Sequence, residues 1–247
     1  MNVLSAMAGI CDGEFCKKFT KENIDIITLG GYNSDLETDT AGIENTKNNR
    51  QEFIIKPTEL SSHISKQVEI IRNYNPSWQG LISVNLRGIK PESFRVVKNN
   101  KNIDILEINA HCRQEAVVKA GAGEGLLKDK KRLSQVLDEV SSYDMDVSVK
   151  IRANVCGVDT LEITKLIESY NIDYIHLDAT NPGIMEADYE IIEEVSNNTE
   201  IHLIGNNSVT THDDYMKMIN SGADSVSVAR AALNGNIQDI FLLNMKN

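Results

Sequence analysis

No apolar run in the chain approaches the ~20 residues needed to cross a bilayer, so no segment reads as a membrane-spanning helix and no membrane partner is expected. The N-terminus, Met1-Asn2-Val3-Leu4-Ser5, lacks the basic start and long apolar stretch of a signal peptide. The expected location is cytoplasmic. Cysteine is scarce: Cys11, Cys16, Cys112 and Cys156 are scattered through 247 residues, which is no disulfide framework. Positive charge is short as well. Lys and Arg number 25 against 36 Asp and Glu, a formal net charge of −11. A protein living on phosphate contacts usually carries a basic face and an alkaline isoelectric point; the chain as a whole shows the opposite. It has no linker and no low-complexity tail.

What is present is alternation. Eight short apolar runs read as strands: Val3–Met7, Ile24–Leu29, Leu81–Leu86, Ile105–Asn109, Val147–Ile151, Tyr174–Leu177, Ile201–Ile204 and Ser225–Val228. They are rich in β-branched residues and many are followed by turn formers. Helical patterns lie between them. Leu60, Ile64, Val68 and Ile71 share one face, as do Leu133, Val136, Leu137 and Val140, and less cleanly Leu161, Thr164, Leu166 and Ile167. Thr58 or Ser61 is a candidate cap for the first helix and Asp159 for the third. Repeated strand–helix units mean parallel strands with crossover helices. A count of eight, in a length typical of one barrel, predicts a single (β/α)8 barrel domain over residues 1–247. Asn33 to Lys56 is polar and reads either as a solvated loop with one short helix or as a mobile lid. After strand eight, a helix or two is expected from Arg230 to Asn247.

In such a barrel the active site lies at the C-terminal ends of the strands. After strand four comes Asn109-Ala110-His111-Cys112-Arg113. An unperturbed thiol has a pKa of about 8.5 and needs a positive setting to react; His111, Arg113 and Lys150 are the candidate cations. A buried inert cysteine is the alternative. Lys150 and Arg152 alternate on strand five and point to the same side. They need an anionic ligand, an electron-rich cofactor ring, or pairing with Glu107 or Asp178. His176 on strand six is either a packed histidine or a functional one. After strand seven, Gly205, Asn206, Asn207 and Ser208 offer a phosphate-binding loop, and Arg230 after strand eight adds a forked donor set. Ordinary turn chemistry with a cap at Ser208 or Thr210 is the plainer reading of that loop. The C-x4-C pair Cys11 and Cys16, taken with Cys112 and Cys156, matches no strong metal or iron–sulfur spacing, and no metal site is expected.

The ordered set of strand-end motifs resembles a known family. Met7-Ala8-Gly9-Ile10 with Asp12 and Phe15 is similar to the opening P-M-A-G-x-T-D-x-x-F of dihydrouridine synthases. Leu106 to Cys112 resembles (I/L)-(D/E)-x-N-x-G-C-P, and Lys119 to Leu127 resembles K-x-G-x-G-x-x-L-L. Val149-Lys150-Ile151-Arg152, Ile175-His176, Ile204-Gly205-Asn206, Gly222-Ala223-Asp224 and Ala229-Arg230-Ala231-Ala232 follow in the family's order. The compact form looks like an archaeal branch. The resemblance implies flavin mononucleotide (FMN) at the barrel mouth, reduced by NAD(P)H. It implies hydride exchange between the flavin N5 and a uracil-type ring in tRNA. Cys112 would be the proton donor and Asn109 would position the ring. Met7, Ala8 and Gly9 would lie along the isoalloxazine, and Asn85, Lys150 and His176 would contact the flavin. Gly205, Asn206, Ala229 and Arg230 would hold its phosphate.

The chain departs from the pattern at specific positions. His111 replaces a glycine, Arg113 a proline, Asp178-Ala179 an Arg-Thr pair, and Asn207 and Ala229 phosphate-loop glycines. No segment matches the family's C-terminal tRNA-binding helical domain. These departures, with the acidic charge, make tRNA a doubtful partner without removing it, beside a small-molecule or uracil-containing substrate. Two other readings stay open. One is a non-redox lyase or isomerase that binds a phosphorylated ligand. The other is a catalytically silent subunit of a larger assembly; a homo-oligomer or a partner subunit would fit it.

Overall fold

The computed structural model describes residues 1–235 and 237–242. Eight parallel strands close on themselves in sequence order, with β8 pairing back to β1. They are β1 (Asn2–Leu4), β2 (Ile26–Asn33), β3 (Leu81–Arg87), β4 (Ile105–Ala110), β5 (Asp146–Arg152), β6 (Tyr174–Asp178), β7 (His202–Asn206) and β8 (Ser225–Val228). All eight expected runs form strands. The first is shorter than the sequence suggests, and the second runs on through Gly30 to Asn33. Among the described residues no helix is long and apolar enough to cross a membrane.

Alternation along each strand divides the side chains between two cores. Outward residues such as Val84, Leu86, Leu106, Ile108, Val149, Ile175 and Leu177 join the helices in the main apolar core. Inward residues change character with height. Val3, Ile26, Ile105 and Ile204, with Leu81 and Tyr174, form a separate apolar floor. One or two steps further along the same faces come Asn85 and Arg87, Glu107 and Asn109, Lys150 and Arg152, and His176 and Asp178. The floor is apolar and the mouth is polar, which puts the candidate site at the C-terminal end.

The Pro57–Tyr74 helix buries Leu60, Ile64, Val68 and Ile71, and the Lys130–Val140 helix buries Leu133, Val136, Leu137 and Val140. Two details differ from expectation. The first helix begins without a side-chain cap: Lys56 is the N-cap and Pro57 starts it, because proline has the helical φ and no N–H to satisfy. In the Thr160–Glu168 helix the buried face is Thr160, Ile163, Thr164 and Ile167, with Leu161 and Leu166 only partly covered. Asp159 does cap it, accepting from Glu162 N at 3.0 Å.

The largest difference lies in residues 33–56. A twelve-residue helix, Leu36–Lys47, opens with a capping box between Asp35 and Thr38. It docks through Thr38, Asp39, Ala41, Gly42 and Asn45, so it has no apolar stripe. After β8 come a 3-10 turn, Arg230–Asn234, and a short helix, Ile237–Ile240. The expected helical ending at Asn236 and residues 243–247 lies outside the described residues.

Candidate active site at the barrel mouth

Glu107 is the hub of the mouth. Its carboxylate is buried and accepts from Asn85 Nδ2 at 2.7 Å and Ser148 Oγ at 3.3 Å, and His176 Nδ1 lies 2.6 Å away. Burial alone would raise its pKa, but His176, Lys150 and Asn85 outweigh burial and hold it at about 2. A carboxylate only accepts, so it orients its neighbours. His176 carries its proton on Nδ1, and its Nε2 accepts from Ser227 Oγ at 2.7 Å. Ser227 Oγ in turn accepts from Asn206 Nδ2 at 2.6 Å, and the same amide reaches Ser227 O at 3.1 Å. His176 is fully buried; burial and Lys150 lower its pKa, and it is neutral.

On the other side the same orientation passes through β3 to the cysteine loop. Asn85 Oδ1 accepts from Asn109 Nδ2 at 2.9 Å. Asn109 Oδ1 then faces the loop and accepts from Cys112 N at 3.1 Å, with His111 N at 3.4 Å and His111 Nδ1 at 3.2 Å. Cys112 itself is 8% exposed. Its Sγ donates to Gln114 Oε1 at 3.3 Å. Gln114 Oε1 also accepts from Asn45 Nδ2 at 2.9 Å, which ties the cysteine loop to the Leu36–Lys47 helix.

The cations do not surround Cys112 as the sequence suggests. Arg113 is exposed. Burial, then Lys150 and Arg152, push the His111 pKa well down, so His111 is neutral. The charge beside the thiol is Arg87, which sequence reasoning missed. Arg87 pairs with the buried Glu52 at 2.8 Å and reaches Asn33 Oδ1 at 3.3 Å. Burial opposes its charge, but Cys112 and Glu52 outweigh burial. Glu52 also accepts from Asn45 Nδ2 at 3.0 Å. The alternation of Asn85 and Arg87 on β3 was the available signal, the same one that singles out Lys150 and Arg152.

Those two cations part company. Arg152 pairs with Asp178 at 3.1 Å and Glu124 at 3.2 Å, and donates from Nε to His111 O at 3.1 Å. Lys150 is buried, and its one side-chain partner is Ser5 Oγ at 2.5 Å. It forms no ion pair among the described residues. Burial lowers its pKa, and Glu107 and Asp178 act against that through space.

Met7, Ala8 and Gly9 form a half-buried turn closed by Cys11 N to Met7 O at 2.9 Å. A Cβ on Gly9, at φ +73°, would meet Gln51 C at 2.6 Å. The turn therefore packs under the segment that carries Glu52. In the loop after β7, Asn207 has φ +112° and Ser208 φ +53°. Asn207 thus adopts a backbone that usually needs glycine, steadied by its Nδ2 on Ala179 O at 3.2 Å. The helix beyond is capped by Thr211 in a capping box with Asp214, not by Ser208 or Thr210. The open side of Gly205 faces Ala223 and Met218 at 3.1 Å, where the strand meets its helix. Ala229 follows β8, and Arg230 is exposed with no ion pair among the described residues. Among the described residues no three His, Cys, Asp or Glu side chains gather as a metal-holding group. Cys11 and Cys16 are buried and Cys156 is exposed.

Gly123 explains one motif glycine. At φ +58°, an added Cβ would lie 2.2 Å from the Cys112 carbonyl oxygen. Gly123→Ala should therefore cost about 1–3 kcal/mol of stability, read as a lowered urea midpoint. An unchanged midpoint would contradict the close approach.

The family profile described as Dihydrouridine synthase (Dus) matches residues 55–236, more than half of the chain. The chain belongs to the dihydrouridine synthase family. An uncharacterized protein of Methanocaldococcus jannaschii is 35% identical over 99% of this chain and 94% of its own length. The tRNA-dihydrouridine(20) synthase [NAD(P)+] of Schizosaccharomyces pombe is 29% identical over 57% of this chain and 32% of its own. Proteus vulgaris tRNA-dihydrouridine synthase B is 27% identical over 62% of this chain and 50% of its own. The matches thus span between a third and a half of these two synthases. FabK from Thermotoga maritima has a TM-score of 0.60 at 12% identity, covering 94% of this chain and 58% of that one, a likeness of fold. Family membership supports an oxidoreductase.

Proposed function

We propose that the protein is an FMN-dependent oxidoreductase that transfers hydride between flavin and a uracil-type ring, with Cys112 as proton donor and NAD(P)H as reductant. The observation that carries this reading is Lys150. A buried ammonium held only by a hydroxyl is costly unless an electron-rich group completes its environment. The polar edge of an isoalloxazine is such a group.

The residues at the mouth fit the cofactor. His176 is the register neighbour of Lys150, Asn85 and His176 are both fully buried on Glu107 and so back the site, and the half-buried turn Met7-Ala8-Gly9 offers the ring an apolar edge. The left-handed backbone at Asn207 and Ser208 suits a phosphate loop, and Arg230 beyond Ala229 is exposed, with no ion pair among the described residues. Both amide hydrogens of Asn206 are engaged on Ser227. Phosphate donors then come from the backbone after Gly205 and from Arg230.

FMN, when bound, supplies the hydride at its N5. The chain supplies the rest. Asn109 holds the substrate ring against the cysteine loop, the Cys112 thiol gives its proton to the ring carbon next to the one receiving hydride, and water reprotonates the thiolate. Gln114 keeps the S–H aimed until the ring arrives.

Purified protein should be yellow, or take up added FMN with a visible absorption near that of free flavin. NADPH should bleach it. The bleached protein should then be reoxidised by uridine monophosphate or by an unmodified tRNA transcript, the two carriers of the ring to be tried. Protein that stays colourless with excess FMN, yet is stabilised by phosphorylated metabolites, would replace this reading with a non-redox phosphate-binding barrel.

A further inference from the structure

His111 stands where the family pattern has a glycine, immediately before Cys112. Its placement follows from a single carboxylate. Glu107 accepts only, so Asn85 must turn its NH2 towards it. Asn85 Oδ1 then accepts, so Asn109 must turn its NH2 towards Asn85. Asn109 Oδ1 is left facing the cysteine loop, which agrees independently with the Cys112 backbone N–H at 3.1 Å. Asn109 Oδ1 cannot donate, so His111 Nδ1, 3.2 Å away, carries the imidazole proton. Nε2 then holds a lone pair.

That lone pair has no hydrogen-bond partner among the described residues. His111 is only partly buried, and its Nε2 is not one of the enclosed unsatisfied atoms. Burial, and then the charges of Lys150, Arg152 and Arg87, push its pKa well down and keep the ring neutral. Arg152 Nε anchors the backbone carbonyl of His111 at 3.1 Å, and the Nδ1 contact with Asn109 Oδ1 orients the ring itself. A fixed, neutral acceptor stands next to the thiol. The side chains of Arg87, Lys150 and Arg152 at this mouth are donors.

We propose that His111 Nε2 accepts a hydrogen bond from a ring N–H of the substrate, the imide N–H of a uracil-type base, and so selects the ring presented to Cys112. This rests on the proposed function for the identity of the ring. His111 is a specificity residue in this account and takes no proton from Cys112.

The first test needs no substrate. In 15N NMR of the full chain at neutral pH, His111 should be neutral with the proton on Nδ1. A proton on Nε2, or a charged ring, would overturn the proposal. The second test titrates the FMN-loaded protein with uracil and with N3-methyluracil, read by perturbation of the flavin absorption. Wild-type protein should prefer uracil by about tenfold, the size expected for one hydrogen bond and one blocked contact. His111→Gly should lose that preference, and His111→Gln, which keeps an acceptor, should retain part of it. Equal preference in wild type and His111→Gly, or no binding of either ring, would overturn it. If the rings bind with the expected preference but reduced flavin is never reoxidised by uridine compounds, the proposed reaction fails while the acceptor stands.

Discussion

Cys112→Ala protein should keep its flavin and its reduction by NADPH, and lose reoxidation by the uracil-type substrate by about 10²–10⁴-fold, the usual contribution of one positioned acid. The substitution removes Sγ and little else. The backbone N–H of residue 112 still bonds Asn109, and the carbonyl still receives Glu124 N at 2.9 Å. The loop is therefore expected to hold its shape, and flavin absorption, melting temperature and NADPH rate should match wild type. Stopped-flow mixing of reduced protein with substrate separates the two half-reactions. Turnover within a few-fold of wild type would show that the proton comes from elsewhere. Loss of flavin with unchanged residual chemistry would mean that Cys112 is a packing residue.

The second large effect concerns Glu107. Glu107→Ala should destabilise the fold by about 3–5 kcal/mol, because removing one partner of a buried charged cluster leaves the others uncompensated. Asn85 Nδ2 and His176 Nδ1 lose their acceptor, and Lys150 loses a through-space partner. The pH dependence has a definite sign. The folded carboxyl titrates at about 2, below its ordinary value of 4.5. Its contribution is therefore complete above about pH 4.5 and is lost as pH falls through 2. Urea midpoints of wild type and variant should differ most at neutral pH and converge as the acid limit is approached. A constant difference from pH 7 to pH 3, with none of this narrowing towards pH 2, would show packing loss alone.

The barrel was legible because every strand carries the same signal, an apolar run ending in polar residues. The floor of Val3, Ile26, Ile105 and Ile204 and the mouth above it are two halves of one alternating pattern. The strand-end residues Cys112, Asn109, Lys150 and His176 were legible for the same reason, and the structure gathers them at one end. Two features were not. The Leu36–Lys47 helix buries polar and small residues, so no periodic apolar stripe announces it. The Glu52–Arg87 pair joins an irregular segment to β3 across 35 positions, and no local spacing encodes such a contact. The neutrality of His111 was also hidden. It depends first on burial and then on Lys150 and Arg152, residues some forty positions away that only the closed barrel brings near.

The segment from Asp35 to Glu52 is held over the cysteine loop by the Asn45–Gln114 hydrogen bond, the Glu52–Arg87 ion pair and a small apolar cluster of Ala41 with Cys112, Val117 and Ala122. Of the residues its helix buries, only Ala41 is apolar, while Leu36 and Ile43 face water. Cooperative units with little apolar burial are the first to detach in local unfolding. Opening of that segment would uncover Cys112, which is 8% exposed in the closed form, without disturbing the apolar core beneath the barrel mouth.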